Sequence, residues 1–382
     1  MRILGIIARI LIGLVFVFSG FVKGVDPWGS AIKLNDYFAA FGWDFMIPLS
    51  FFLGSLLNAA EFIIGFSLLL GVRVRLASLG ALIFMGIFTP LTFYLAIANP
   101  VSDCGCFGDA IKMTNWETFY KNIIISVLVI FVFIRRKKFK PLTSCGKEWL
   151  FVLGGAAIIV FTSWYSYSYL PIMDFLPYKK GNNIPALMTI PEGFPTDKYE
   201  QFITLLDTTS NTNIQVTVDA YGNDSTYWGT GTKYKYVSIS EPTLVEKGYQ
   251  PPIHDFTIVS YMDGTDLTEV VLEDSSYSFL MISYKLGKAS GNHQKEINEL
   301  ARWAFSNGYR FICMTSSTGE EMAEFKEKYN PPYDFYMTDE TTLKSIIRSN
   351  PGLVLLKSGT VVDKWSHNAL PTPDEFQNEI LK

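Results

Sequence analysis

The sequence has few of the residues that build disulfide scaffolds and metal sites. Its 382 residues include only four cysteines and three histidines. Four cysteines are too few for a disulfide-rich scaffold in a chain of this length. The histidines are scattered, at His254, His293 and His367, without the Cys/His spacing of a zinc site. Both classes of protein are therefore set aside.

Charge is also scarce and is unevenly placed. Charged residues make up 18% of the chain and hydrophobic residues 49%, where soluble domains carry about 25% charged residues. Residues 1–170 contain 14 Lys/Arg and 8 Asp/Glu, and residues 171–382 contain 18 and 28. The first part is typical of a membrane domain and the second of an acidic domain in water. An acidic domain argues against nucleic acid as a partner.

Five long apolar runs lie in the first 170 residues. They cover residues 3–21, 48–71, 76–98, 116–134 and 149–170. At about 1.5 Å per residue, each approaches the thickness of the hydrocarbon layer. A signal peptide is the alternative for the first run, but its length and the lack of an A-x-A-like cleavage site favour a membrane span. We predict five transmembrane helices in a lipid bilayer.

Basic residues in two short loops predict the orientation. Arg73 and Arg75 lie between the second and third spans, and residues 135–140 carry five Lys/Arg between the fourth and fifth. Both loops should be cytoplasmic by the positive-inside rule. The N-terminus is then cytoplasmic, while the loops 22–47 and 99–115 and everything after about Pro171 are extracytoplasmic. We expect a protein of the bacterial cytoplasmic (inner) membrane with a periplasmic C-terminal domain, in a compartment where disulfides persist.

The loop between spans three and four contains the candidate redox residues. It reads Asp103-Cys104-Gly105-Cys106-Phe107-Gly108-Asp109. A disulfide between cysteines one residue apart closes a very small ring and is strained. Strained, exposed disulfides are the labile or catalytic kind, so we predict a redox-active pair with Asp103 and Asp109 in support. A passive structural pair, or two thiols bonded to a partner, are the alternatives.

Two ionisable residues, Arg9 and Glu61, fall inside the predicted spans. Such residues are costly in a bilayer and indicate a functional site with a partner. Counted from the cytoplasmic side, they lie about 9 Å and 15 Å deep, a difference that an arginine side chain covers. We predict that they pair, either in function or as a structural ion pair that fixes helix register. Lys23, at the outer end of span one, is expected to anchor the helix at the interface.

These residues resemble a known family of membrane proteins. The ordered set comprises Arg9, Gly13, Phe16, Ser19, Gly20, Lys23, Glu61, Gly65, Leu70 and Gly71. It is similar to the DoxX-like superfamily of four-helix membrane proteins. The motif Cys104-Gly105-Cys106-Phe107-Gly108 resembles its MauE (methylamine utilisation) branch. The resemblance covers about residues 1–140 and implies a redox-associated protein that helps make or maintain disulfides in exported proteins. It also allows a quinone as electron acceptor, although no quinone motif and no other cofactor motif is visible.

The C-terminal part alternates strands and helices. Runs at 256–260, 279–284, 309–314, 353–356 and 361–365 predict strands, and runs at 294–306, 320–329 and 373–381 predict helices. The order resembles the thioredoxin fold, with Pro351 where that fold has its cis-proline. The reactive Cys-x-x-Cys of that fold is missing, because residues 285–292 contain no cysteine. Cys313, inside a strand, is expected to be a buried, inert side chain.

The predicted architecture is an all-α DoxX-like bundle with one additional transmembrane helix, followed by an α/β thioredoxin-like domain. The predicted domains are residues 1–140 (bundle), 148–170 (fifth helix), 171–251 (linker and small β-rich subregion) and 252–382 (thioredoxin-like). Two functions remain open. One is thiol–disulfide chemistry on exported thiol proteins through Cys104 and Cys106, with the thioredoxin-like domain and Pro351 binding or covering the client. The other is a non-enzymatic scaffold or accessory subunit of a membrane complex with a structural cysteine pair.

Overall fold

The computed structural model describes residues 2–101, 103–140 and 144–380. Five of its helices are long and apolar enough to cross a membrane, which confirms the five predicted spans. With one further helix in the same region, the bounds are α1 Arg2–Val25, α2 Pro27–Ala40, α3 Ser50–Leu70, α4 Val74–Ala98, α5 Asn115–Arg135 and α6 Cys145–Ser168.

Helices α1 and α3 run antiparallel in close backbone contact. A Cβ atom added at Gly20 would lie 2.5 Å from the Phe62 nitrogen, and one added at Gly13 would lie 2.7 Å from the Leu69 nitrogen. A Cβ at Gly65 would likewise meet the α1 backbone. Membrane helices associate closely where small residues let their backbones meet. Three glycines of the sequence pattern therefore hold this helix pair together.

Helix α2 lies in the segment 22–47 that the sequence predicts as a loop. Its N-cap is Asp26, whose side chain accepts a hydrogen bond from the Gly29 amide, and Pro27 opens the helix. Both are favoured helix starts. The segment is less apolar than the membrane spans, so span-length reasoning does not detect it. Ala31 and Phe38 are buried and fix the helix on the bundle.

The other three spans, α4, α5 and α6, complete the bundle through interhelical hydrogen bonds. Helices α4 and α5 share hydrogen bonds between Thr89 and Ser126 (2.9 Å) and from Asn122 to Thr92 (3.1 Å). Helix α6 packs beside α1, where the Ser163 hydroxyl donates to the Gly24 carbonyl (2.9 Å). Interhelical hydrogen bonds of this kind add about 1 kcal/mol each inside a membrane.

Residues 184–254 form a separate compact unit. It contains α7 Ile184–Met188, β1 Lys198–Glu200, β2 Phe202–Asp207, β3 Thr212–Thr217, α8 Val218–Asn223, β4 Tyr234–Ile239 and β5 Thr243–Glu246. Strands β3, β2 and β4 form one antiparallel sheet, and β1 pairs with β5 in another. Ile203 and Leu205 point into the core from alternate positions of β2, as the period of a strand requires.

The C-terminal domain is built on a six-stranded mixed sheet in the order β11-β10-β7-β8-β9-β6. Its elements are β6 Val259–Ser260, α9 Thr268–Leu272, β7 Tyr277–Ile282, α10 Gln294–Ser306, β8 Arg310–Thr315, α11 Gly319–Tyr329, β9 Phe335–Met337, α12 Glu340–Ile346, β10 Gly352–Lys357, β11 Thr360–Ser366 and α13 Pro373–Glu375. Strands β7, β8 and β9 are parallel, and the hairpin β10–β11 is antiparallel to β7. This confirms the thioredoxin-like fold.

Three elements of this domain escape prediction, and two predicted elements are shorter. Helix α9 has five residues, strand β9 three and α12 seven, too few for a clear period. Of the predicted strand at 256–260 only Val259–Ser260 pairs. The predicted helix at 373–381 is one α-turn followed by a π-helical turn, Phe376–Ile380, and residue 381 lies outside the described residues. Cys313 is fully buried beside Phe311 and Phe335 in the core, as expected.

Candidate active site: the cysteine loop and its cavity

The cysteine loop follows α4 and ends where Thr114 caps α5. Thr114 and Glu117 form a capping box at the start of that helix. Asp103 accepts a hydrogen bond from the Gly105 amide (2.9 Å), and Gly105 adopts φ +66°. That left-handed conformation favours glycine. The side chain of Lys33 packs against it, since a Cβ at Gly105 would lie 2.8 Å from the Lys33 Cγ.

Four side chains from two helices and the loop fix the backbone of the two cysteines. The Ser19 hydroxyl of α1 donates to the Cys106 carbonyl (2.6 Å). The Tyr37 hydroxyl of α2 donates to the Cys104 carbonyl (2.7 Å). Lys33, one turn before Tyr37, pairs with Asp103 at 3.2 Å. The predicted supporting residue Asp103 therefore holds the loop on α2, a helix that the sequence does not reveal.

Cys104 and Cys106 are free thiols in this structure. The strained disulfide expected from the sequence thus stays a prediction, and the structure shows the reduced pair. Cys104 is buried beside Leu95 and Val101, whereas Cys106 is half-buried. Taken as a whole residue, Cys106 is therefore the more exposed of the two.

The two thiols differ in acidity because they share a hydrogen bond. That bond, with a smaller contribution from the positive charges of Lys121 and Lys23, lowers the pKa of Cys106 to about 7 against the opposing effect of burial. The same hydrogen bond, together with burial, raises the pKa of Cys104. A thiol with a pKa near 7 is a substantial fraction thiolate at neutral pH, and the thiolate is the nucleophile in disulfide exchange. Cys106 is therefore the reactive member of the pair and Cys104 its proton-bearing neighbour.

The intramembrane ion pair differs from the predicted one. Glu61 pairs with Lys23, not with Arg9. Helical side chains tilt toward the N-terminus of their helix. Lys23 on α1 and Glu61 on the antiparallel α3 therefore tilt toward each other. Arg9 lies near the start of α1 and, like Lys23, tilts toward that end, which takes it away from Glu61. The predicted Arg9–Glu61 pair is therefore wrong, and Lys23 is the partner of a buried carboxylate instead of an interface anchor.

Arg9 lies at the opposite end of α3. A Cβ atom at Gly71, which ends α3 in the left-handed conformation, would collide with the Arg9 guanidinium. The guanidinium also lies 5.8 Å from the centre of the Phe139 ring. A cation at the C-terminus of a helix is stabilised by the free carbonyls and the helix dipole. Arg9 is thus a structural contact of α3 and does not reach the cysteine pair.

A cavity of about 200 Å³ connects the cysteine loop to the ion pair. Both cysteines and Gly105 line it, as do Lys23 and Glu61. Its apolar wall comes from α4 and contains Phe84, Met85 and Phe88; its polar wall contains Asn58, Lys33 and Asp103. Asp109 also lines it, but Pro351 is buried in the thioredoxin-like domain and is not among the described residues that line it. Within the described part of the chain, no cluster of His, Cys, Asp or Glu could hold a metal ion.

The loop that replaces the reactive motif of the thioredoxin fold is tied to Asn350. The Ser283 hydroxyl donates to the Asn350 side chain (2.9 Å), and that side chain donates to the Lys285 carbonyl (2.9 Å). The Ser290 amide donates to the Asn350 carbonyl (2.9 Å). The Asn350–Pro351 peptide bond is cis, as predicted. The described part of this domain contains one cysteine, the buried Cys313. Among the residues that the structure describes, the two neighbouring thiols are therefore those of Cys104 and Cys106 in the bundle.

The family comparison agrees with the geometry. Residues 1–135 match the family model described as methylamine utilisation protein MauE. The bundle is MauE-like. The match spans α1–α5 and includes the cysteine loop and the ion pair. The cavity-lining residues outside the match lie between Pro171 and Leu176. Together with the thiol pair, it indicates a redox-related membrane protein.

Two other comparisons add little. No curated protein matches the chain. One solved structure, described as the "Solution structure of a putative protein disulfide isomerase from Bacteroides thetaiotaomicron", matches with a TM-score of 0.26 and 17% identity, over 33% of this chain and 82% of that chain. At that similarity, the strand order of the C-terminal domain remains the basis for its fold.

Sequence reasoning missed three functional positions. Tyr37 and Lys33 lie on the undetected helix α2, and their spacing of four residues on a helix is the signal that would have found them. Arg348, described below, lies three residues before the cis-proline; no sequence signal distinguishes this buried arginine from the exposed arginines of the chain.

Proposed function

We propose that the MauE-like domain exchanges disulfides with exported thiol proteins through Cys104 and Cys106. The observation that carries the proposal is the Cys106 thiol, which has a lowered pKa, shares a hydrogen bond with the Cys104 thiol and belongs to a residue that lines a cavity. Low-pKa, accessible thiols next to a resolving cysteine are the reactive kind. The basic loops favour an extracytoplasmic position for the pair on the bacterial cytoplasmic membrane.

The exchange proceeds in two steps. The Cys106 thiolate attacks one sulfur of a client disulfide, the client S–S bond breaks, and a Cys106–client disulfide forms while one client thiolate leaves. Cys104 loses its proton and attacks the Cys106 sulfur, which closes the Cys104–Cys106 disulfide and releases the second client thiolate. Two electrons pass from the pair to the client. The reverse sequence oxidises a client dithiol and leaves the pair reduced.

The oxidising direction needs an acceptor of two electrons and two protons, and a quinone is the class that the family resemblance suggests. The cavity fits such a group, since one wall is aromatic and apolar, and the other offers hydrogen-bonding side chains close to Cys106. Phe84, Phe88 and Met85 would hold its ring, and Lys23 or Asn58 would hold a carbonyl oxygen. A bound quinone would supply the two-electron, two-proton sink for the pair.

Thiol trapping across a series of glutathione redox buffers tests the proposal on the full-length protein. Gel-shift alkylation should give a midpoint in the range of exchange proteins, about −120 to −270 mV. Cys104→Ser should trap a mixed disulfide at Cys106, because the resolving thiol is gone, whereas Cys106→Ser should trap little. Cys145 follows the basic loop that the positive-inside rule assigns to the cytoplasm. Cys145→Ser is therefore the matched control and should change neither result.

The second function is the scaffold or accessory subunit with a structural cysteine pair. Its support is the number of contacts that fix the loop through Ser19, Tyr37 and Lys33. A midpoint below about −300 mV, typical of structural disulfides, would favour it. So would normal function of the Cys104→Ser/Cys106→Ser double variant.

A further inference from the structure

The thioredoxin-like domain contacts the MauE-like domain through a buried arginine. The side chain of Arg348 is only 6% exposed. Its Nε lies 2.9 Å and 3.1 Å from the two carboxylate oxygens of Asp26, and its Nη2 lies 2.8 Å from Asp26 and 3.4 Å from Asp109. Asp26 caps α2, and Asp109 lies within the cysteine loop. One side chain of the C-terminal domain thus joins both elements that position the cysteines.

A second ion pair holds the chain segment that leaves α6. This segment, residues 171–176, is called the strap. Pro171, Asp174 and Leu176 line the cysteine cavity and also a cleft of about 660 Å³ next to β11. The strap is therefore an irregular stretch of chain that borders both spaces. Asp174 pairs with Lys364 of β11, whose side chain is 8% exposed, so the C-terminal domain fixes the strap in place.

We propose that the strap and the Arg348 edge form a gate over the cysteine cavity, with Arg348 as its latch. While the latch is closed, the cavity admits a small molecule but not the side chain and backbone of a protein client. When the latch opens, the strap can move and Cys106 becomes accessible to proteins. The biological purpose of the gate rests on the proposed function, whereas its test measures access to Cys106 and needs no redox activity.

The composition of the contact favours opening as a rigid-body movement. The ion pairs named here join the C-terminal domain to α2, the cysteine loop and the strap. Polar interfaces between domains separate at less cost than large apolar ones. The pairs are nevertheless buried, so the loss of one partner leaves a desolvated charge and strongly weakens the closed form. Replacing Arg348, which lies between two carboxylates, should therefore increase the population of the open form.

Alkylation with maleimides of two sizes tests the gate. The reduced full-length protein, in a Cys145→Ser background, is treated with N-ethylmaleimide or with a polyethylene-glycol maleimide too large for a cavity of about 200 Å³, and peptide mass spectrometry quantifies the reaction at Cys106. Arg348→Met removes the latch. Asp174→Asn removes the strap's ion pair with Lys364 and leaves the contacts of Arg348 with Asp26 and Asp109 in place. Arg310→Met is the matched control, since it breaks an ion pair with Asp274 inside the C-terminal domain.

In both gate variants the large reagent should react at Cys106 at least about tenfold faster than in the parent, because reactivity follows the population of the open form. The small reagent should change much less, and Arg310→Met should match the parent with both. Size-exclusion chromatography checks that each variant stays folded, and the strap variant keeps the test open if Arg348→Met does not fold. Equal rates for the large reagent in the parent and in a folded gate variant overturn the gate, even if the pair cycles. A tenfold rise in a protein whose pair never cycles would support the gate and reject the proposed function.

Discussion

Removing the carboxylate of Glu61 should destabilise the bundle because Lys23 loses its ion-pair partner, whereas Arg9 should be unaffected. In Glu61→Gln, the ammonium of Lys23 loses its partner inside the protein, where the two side chains are 16% and 7% exposed. Loss of one partner from a buried pair costs about 3–5 kcal/mol. Lys23→Met combined with Glu61→Gln removes both charges and should recover most of that loss.

The Arg9/Glu61 pair provides a matched comparison for the Lys23/Glu61 double-mutant cycle. Gly13 lies level with Leu69 and Gly20 with Phe62 across the α1–α3 contact. Glu61 is therefore level with the C-terminal end of α1, and Arg9 lies about twelve residues, or about 18 Å, away along the axis. Sites more than about 10 Å apart with no shared partner act additively within about 0.5 kcal/mol. The Arg9→Gln/Glu61→Gln cycle should thus show no coupling.

Unfolding in mixed micelles by titration with a denaturing detergent, followed by tryptophan fluorescence, gives the free energies for both cycles. We expect a coupling of about 2–4 kcal/mol for Lys23 with Glu61 and less than about 0.5 kcal/mol for Arg9 with Glu61. The reverse pattern would mean that Arg9, and not Lys23, is the partner of Glu61. Additivity in both cycles would mean that neither cation stabilises the carboxylate.

Three further predictions concern the thiol, the topology and the helix contact. The alkylation rate of Cys106 should be half-maximal near pH 7, falling at lower pH as the thiolate is protonated; a midpoint near 8.5, the value of a free thiol, would contradict the environment described here. A cysteine introduced at the exposed position Ser275 should react with an impermeant maleimide added from outside, after any outer membrane is opened, and one at Lys138 should not; the opposite labelling reverses the orientation. Gly65→Ala should destabilise the bundle by about 1–3 kcal/mol through overpacking, whereas Gly86→Ala, which faces open space, should have little effect in the same detergent titration.

Sequence reasoning works best here where a single strong signal sets the structure. The five spans follow from length and hydrophobicity, and helix α10 begins and ends where its apolar period does, at Gln294–Ser306. The cysteine pair is visible because two thiols one residue apart are rare in a loop. Each of these signals lies within one short stretch of chain.

The parts that sequence reasoning missed depend on direction and on distant contacts. Depth counting placed Arg9 and Glu61 within reach of each other because it took Ile3 and Gly71 to lie at the same depth, whereas the end of α3 lies level with Gly13. Lys23, taken as an interface anchor, lies nearly level with Glu61 and pairs with it. The contact of Arg348 with Asp109 joins positions 239 residues apart, and no local pattern records such a contact.

That separation along the chain also has a consequence for synthesis. The ribosome adds about 5–20 residues per second, so the C-terminal half follows the cysteine loop by about 10–50 seconds. During that interval α1–α5 can enter the bilayer and the two thiols can meet the folding enzymes and oxidants of their compartment without their later cover. The gate proposed above can therefore form over the cysteine pair only after that interval.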